Sequence, residues 1–210
     1  MKYLYLHGFA SGKDSKKGVA LAKHLAARGI ALERLDLRVP SLEHLRLSAM
    51  MERVRDAIGG ADDRAIVLGS SLGGLTAARV AERDARIVSL VLLAPAFQLA
   101  ARWRERVGEA AWHAWEESGW LEVDDHATGG RSRVDFDFVR DVARVDATPF
   151  PDVRVPTLIV HGTHDEVVDV GLSRTFAKGK PHVRLVEVDD GHELVASLGR
   201  IASELDDFLP

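Results

Sequence analysis

The chain has 210 residues, of which 46% are hydrophobic and 29% charged, with a net charge of -4. That length suits one domain with a core of its own, and the slight acidity gives nucleic acid no electrostatic reason to bind. Cysteine is absent, which excludes disulfides, thiolate nucleophiles and thiolate metal sites.

The opening apolar run is too short for a signal peptide or a membrane span, so a cytoplasmic protein with no membrane partner is expected. It reads instead as a strand over 2–6. A helix over 15–28 follows, closed by Gly29, and then a strand over 32–35. Pro40-Ser41 opens a helix over 41–58 that Gly59-Gly60 closes. A short β-branched strand over 65–68 runs into a helix over 72–83, followed by a strand over 87–93. Strands over 157–160 and 183–188 and a helix over 193–208 complete the pattern. Such alternation predicts an α/β domain over 1–210, with a mostly parallel sheet of about six strands flanked by helices.

The segment 97–150 breaks the rhythm. It holds all four tryptophans, Trp103, Trp112, Trp115 and Trp120. Within it, strands over 123–128 and 131–136 flank Gly129-Gly130, a pair suited to a tight hairpin, and a short helix covers 137–145. An insertion at the carboxyl edge of a parallel sheet sits where ligands bind, so 97–150 is expected to form a small cap or lid. Trp103, Trp112 and Trp115 are candidate substrate contacts; the alternative is that they only glue the insertion to the body. Arg102, Arg104, Arg106, Arg131 and Arg133 could recognise an acidic substrate, but they are interspersed with acids and read as a mixed-charge surface.

Chemistry concentrates at the carboxyl ends of the strands. Gly69-Ser70-Ser71-Leu72-Gly73 places Ser71 on a strand-to-helix turn, where small neighbours let the hydroxyl rise to the top of the sheet. A turn with an N-capping serine is the plainer reading of the same residues. A serine needs a base to take its proton, and the base needs an acid to hold its tautomer. His161-Gly162-Thr163-His164-Asp165 follows one later strand and Asp189-Asp190-Gly191-His192 follows the last. Ser71, Asp165 and His192 thus stand in the chain order of an α/β-hydrolase. Asp169 or Glu166 could replace Asp165 as the acid. His161, His164 and Asp165 lack the helical register of a metal motif, and no metal is expected. His24, His44, His113 and His182 carry no partner signal. An oxyanion needs backbone N–H donors; Leu72, after the serine, and Phe9, in the loop after the first strand, are the candidates.

Tyr5-Leu6-His7-Gly8-Phe9-Ala10-Ser11, Gly69-Ser70-Ser71-Leu72-Gly73-Gly74, His161-Gly162-Thr163-His164-Asp165 and Gly191-His192 resemble the α/β-hydrolase superfamily. The first two, with Lys16-Lys17, look most like the small bacterial YqiA-type esterases, which lack the first strands of larger relatives. The resemblance implies a cofactor-free serine hydrolase acting on carboxylic esters or thioesters of small molecules. It implies Ser71 as nucleophile, His192 as base, Asp165 as orienting acid, and Phe9 and Leu72 as oxyanion donors. A thioesterase, lactonase, peptidase or perhydrolase would use the same residues. A non-catalytic ligand-binding protein on the same scaffold is the third reading.

Overall fold

The apolar runs read as strands pair with one another as a single parallel sheet. In the computed structural model, which describes residues 1–210, the body begins β1 (Lys2–Leu6), α1 (Lys16–Ala26), β2 (Leu32–Leu35), α2 (Leu47–Ile58), β3 (Ala65–Ser70), α3 (Leu72–Ala81), β4 (Ile87–Leu93). The insertion supplies α4 (Leu99–Val107), α5 (Glu109–Ser118), β5 (Trp120–Asp125), β6 (Gly130–Asp135) and α6 (Asp137–Val145). The body resumes with β7 (Thr157–Gly162), α7 (Val170–Ala177), β8 (Val183–Val188) and α8 (Leu198–Phe208). The sheet order is β2-β1-β3-β4-β7-β8, every pair parallel. No helix is long and apolar enough to cross a membrane.

Period-two alternation splits the core in two. Leu4, Leu6, Val67, Leu90, Leu92 and Ile159 face α2, α3 and the insertion. Tyr5, Ile66, Leu68, Val91, Leu93, Leu158 and Val160 face α1 and α8, meeting Leu21, Leu25, Ile201 and Leu205. Strands buried on both faces carry no polar face, which is why β3 reads as a continuous apolar run.

Several elements differ from the sequence expectation. The helix expected from residue 41 begins at Leu47. Ser41 closes only a local turn, accepting from the His44 N–H at 3.2 Å. The helix's first turn is satisfied from a distance: Asp141 of α6 accepts from the Ser48 N–H and the Ser48 hydroxyl, both at 2.8 Å. The final helix begins at Leu198 rather than 193, because Asp190 accepts from the Ser197 N–H at 2.9 Å and holds the preceding stretch as an irregular loop. The hairpin turns over 126–129 rather than at Gly129-Gly130, and Gly130 pairs with Asp125 inside the ladder. Asp125 explains the shift, because its carboxylate accepts from the Ala127 and Thr128 N–H groups and builds the turn itself. Finally, α7 has no counterpart in the sequence pattern; Asp169 caps it, accepting from the Gly171 N–H at 2.8 Å.

The insertion is bonded to the body rather than lying loosely over it. Trp115, Val134, Phe138 and Val142 belong to the same buried cluster as α2 and α3. Asp135 takes both nitrogens of Arg46, at 2.7 and 2.8 Å, and the His44 ring at 2.7 Å. Arg79 of α3, fully buried, donates to Asp146 at 2.8 and 2.6 Å and to the Thr148 hydroxyl at 2.8 Å. Burial pushes the Asp146 carboxyl up despite this partner. The pair locks α3 to the end of the insertion.

Removing one member of a buried ion pair strands the other charge away from water. Arg79→Leu is expected to lower unfolding free energy by about 3 kcal/mol in chemical denaturation, with Asp146→Asn showing a smaller loss. A second prediction concerns His7, whose Nε2 accepts from the Leu37 N–H at 3.0 Å and whose Nδ1 donates to the Gly8 carbonyl at 2.9 Å. Burial pushes this imidazole below its usual value, although Asp36 at 3.6 Å pulls the other way. The folded chain therefore keeps His7 neutral while the unfolded chain takes up a proton near roughly pH 6.5. The stability at stake is complete above that pH and is lost as the pH falls below it. The drop in melting temperature between about pH 7.5 and about pH 5.5 is expected to shrink in His7→Gln, whose amide oxygen accepts without titrating.

Candidate active site

The turn between β3 and α3 forces Ser71 into a backbone conformation that L residues rarely adopt. Its φ is 53° and ψ -115°, a strained geometry for serine. The surroundings hold it there. The Ser71 N–H donates to the Leu93 carbonyl at 2.9 Å, and its own carbonyl accepts from Leu75 and Ala96, each at 3.1 Å. Gly73 makes the turn possible, because a Cβ there would stand 2.3 Å from the Leu6 carbonyl oxygen and 2.6 Å from that of His7. The helix thus starts directly against the end of β1, with its positive end beneath the serine.

Ser71, His192 and Asp165 form one continuous chain of hydrogen bonds. Ser71 Oγ lies 3.0 Å from His192 Nε2, and His192 Nδ1 lies 2.8 Å from Asp165 Oδ2. An ionised carboxylate only accepts, so Nδ1 carries the ring hydrogen and Nε2 is left to accept from the serine hydroxyl. The β7 and β8 loops that carry Asp165 and His192 must touch for this. Gly162 permits it, since a Cβ at that position would meet the Asp190 carbonyl oxygen at 2.2 Å.

The Asp165 side chain is fully buried and saturated with donors. Its Oδ1 accepts from the Val167 and Val168 N–H groups, each at 2.8 Å. Its Oδ2 accepts from His192 and from His161 Nε2 at 3.1 Å. Burial alone would raise its pKa, but the bonds from His161 and His192 and from the Val168 N–H outweigh it and hold the carboxyl well below the usual range. The alternative acids are placed elsewhere: Asp169 caps α7 and Glu166 is exposed.

Two partners escaped the sequence reading. His161, fully buried at the end of β7, donates from Nε2 to Asp165 and to the Val168 carbonyl at 2.9 Å, while its Nδ1 accepts from the Ser173 hydroxyl at 2.7 Å. Its position four residues before Asp165 was visible, but only the turn shows that the two meet. Lys17 of α1, buried and with its pKa pushed down by that burial, donates to the His192 carbonyl at 3.4 Å. It reaches across 175 residues, so no local signal marks it. Three of the histidines without a sequence signal also face carboxylates, His24 with Asp206, His44 with Asp135 and His113 with Glu109.

The loop after β1 passes directly over the serine, where a Cβ on Gly8 would lie 3.3 Å from Ser71 Cβ. The Phe9 N–H in this loop donates to no group of the protein. Leu72 is the first residue of α3, where a backbone N–H has no acceptor within the helix. The hairpin turn braces the loop, the His126 N–H donating to the Ala10 carbonyl at 2.9 Å.

A hollow opens beside these residues, walled by Ala96, Phe97, Leu99, Trp103, Val167 and Val168. Of the three tryptophans expected to touch substrate, Trp103 alone lines it, packed edge-on against Phe9 at 5.2 Å. Trp115 corrects the expectation. It is fully buried, and its indole N–H is spent on the Val134 carbonyl at 2.9 Å, so it fastens α5 to the hairpin. Trp112 also lies outside the hollow, wedged edge-on between Trp115 and Phe136.

Solved structures share this architecture over nearly their whole length. Alpha/beta hydrolase domain-containing protein 10 from mouse is 21% identical, with a TM-score of 0.79 over 98% of this chain and 88% of that one. Est1E from Butyrivibrio proteoclasticus is 25% identical, with a TM-score of 0.75 over 99% of this chain and 86% of the other. A monoacylglycerol lipase from Paleococcus ferrophilus is 17% identical, with a TM-score of 0.76 over 98% and 94%. No curated protein matches the chain in sequence. The model of the uncharacterised protein family UPF0227 matches residues 2–208. That match over nearly the whole chain shows that it belongs to the UPF0227 family, and the parallel sheet it shares with these structures is the α/β-hydrolase fold.

Proposed function

We propose that the chain is a serine hydrolase that cleaves carboxylic esters of small, largely apolar molecules. The observation that carries this reading is the unbroken run of hydrogen bonds from Ser71 Oγ through His192 to Asp165. Strain at Ser71 supports it, because a backbone held in this way presents the hydroxyl away from the sheet. Est1E has been solved with ferulic acid bound, and a monoacylglycerol lipase shares the fold. Both fit ester chemistry beside an apolar hollow.

The reaction proceeds in two acyl transfers. His192 Nε2 takes the Ser71 proton as Oγ attacks the ester carbonyl carbon. The carbonyl oxygen becomes an oxyanion and takes hydrogen bonds from the Phe9 and Leu72 N–H groups. Collapse of the tetrahedral intermediate breaks the bond to the alcohol oxygen, which leaves with the proton that His192 returns. Water then attacks the acyl-serine with His192 again as base, releasing the acid and restoring Ser71. Asp165 holds His192 in the required tautomer and stabilises the imidazolium that forms. Because the bonds from His161, His192 and the Val168 N–H hold its carboxyl well below the usual range, Asp165 is ionised at neutral pH.

Turnover is measured with p-nitrophenyl esters of graded chain length. Ser71→Ala is expected to lower kcat by on the order of 10⁴-fold or more while circular dichroism shows an unchanged fold. A fluorophosphonate probe should label the native chain at Ser71 and leave the variant unlabelled. Asp165→Asn keeps the shape of the side chain but reverses the tautomer logic, and should cost about 10⁴-fold in kcat. Ester hydrolysis that survives Ser71→Ala would remove the assignment.

A further inference from the structure

The hollow beside the serine has an electrostatic character that its apolar walls conceal. Trp103 lines it with only 8% of its surface exposed, and its indole Nε1 is the one buried side-chain nitrogen or oxygen in the protein without a hydrogen-bond partner. An indole N–H can only donate, and buried donors in native structures normally have an acceptor. Arg102 and Arg106 complete the lining. Neither holds a carboxylate; the Arg106 guanidinium reaches only the Val167 carbonyl, at 3.3 Å. Every other arginine of the insertion is paired with an acid, as Arg104 is with Glu109 at 2.6 Å and Arg131 with Glu122 at 2.9 Å. Three donor groups without an acidic partner therefore meet in one place.

That place adjoins the reacting centre. Ala96 in its wall donates its N–H to the Ser71 carbonyl, and the N–H groups of Val167 and Val168 hold Asp165. Phe9, whose N–H serves the oxyanion in the proposed mechanism, packs on the Trp103 ring. The wall of the hollow is thus bonded both to the Ser71 backbone and to Asp165.

We propose that the hollow is a carboxylate subsite, and that the substrates are esters carrying a second, ionised acid group on a short apolar chain. The guanidinium fork matches a planar carboxylate, and the Trp103 N–H gives a third, directional bond. The walls are otherwise apolar, which suits one charge at the end of a hydrocarbon chain. The proposal rests on the serine-hydrolase reading above and names its substrate class.

The test compares kcat/KM within two matched pairs of esters. One pair carries the charge on the acyl side, p-nitrophenyl hemiglutarate against p-nitrophenyl valerate. The other carries it on the alcohol side, 3-carboxyphenyl butyrate against phenyl butyrate. A preference for the charged member in either pair is expected, falling by about tenfold or more in Arg102→Gln and several-fold in Trp103→Phe, which keeps the aromatic packing. Arg106→Gln, at an exposed position, provides a variant whose folding is not at risk. No preference in either pair, or a preference unchanged in both arginine variants, overturns the subsite; Ser71-dependent hydrolysis of the neutral esters would then leave the hydrolase reading standing. If no ester is turned over and a fluorophosphonate leaves Ser71 unmodified, the hydrolase reading falls instead. Calorimetric titration with hexanoate and hexanamide then decides the subsite: tighter hexanoate binding that weakens in Arg102→Gln sustains it, and equal or absent binding of the two overturns it.

Discussion

The start of α3 is pressed against the end of β1, so closely that any Cβ on Gly73 would collide with the Leu6 and His7 carbonyls, and much of the architecture follows from that contact. It leaves no room for a relaxed turn, so Ser71 takes a positive φ and its carbonyl is shared between Leu75 and Ala96. It fixes where the loop after β1 runs, and so where the Phe9 N–H lies. Through the rigid helix it also fixes Arg79, whose buried pair with Asp146 anchors the far end of the insertion. The hollow beside the serine is therefore shaped by a backbone contact several residues away from any of its walls.

The second organising feature is electrostatic. A carboxylate buried as deeply as Asp165 is tolerated only when each lone pair meets a donor. Two backbone N–H groups and two imidazoles satisfy it, and in doing so they join three separate stretches of chain: the end of β7, the loop that follows, and the loop after β8. The negative charge is stabilised before any substrate arrives, so the tautomer of His192 is set in the resting protein. His161 and Ser173 extend the network into α7, tying the orientation of the acid to the packing of the sheet's outer helix.

The insertion divides between internal packing and the wall of the hollow, and the division cuts through a single residue type. Trp115 and Trp112 join α5 to the hairpin and to Phe136, with the Trp115 donor satisfied internally. Trp103, on the preceding helix α4, buries its ring against Phe9 and Phe138 but leaves its N–H free. The arginines divide in the same way, most closing ion pairs on the surface and two turning to the hollow.

The sequence by itself determined the order of the six sheet strands, and the placement of Ser71, Asp165 and His192 each after its own strand. These are local properties: period-two apolar runs, glycines where the backbone must pass closely, and turns that follow strands. The bounds of β1, β2, β4 and β8 could be read to the residue for that reason. Where α2 and α8 begin could not, because Asp141 and Asp190 supply caps from distant or looped chain. Nor could the roles of His161 and Lys17, or the difference between Trp103 and Trp115. Whether a buried donor finds an acceptor depends on which segments the fold brings within about 3 Å, and no periodicity in the chain encodes that distance.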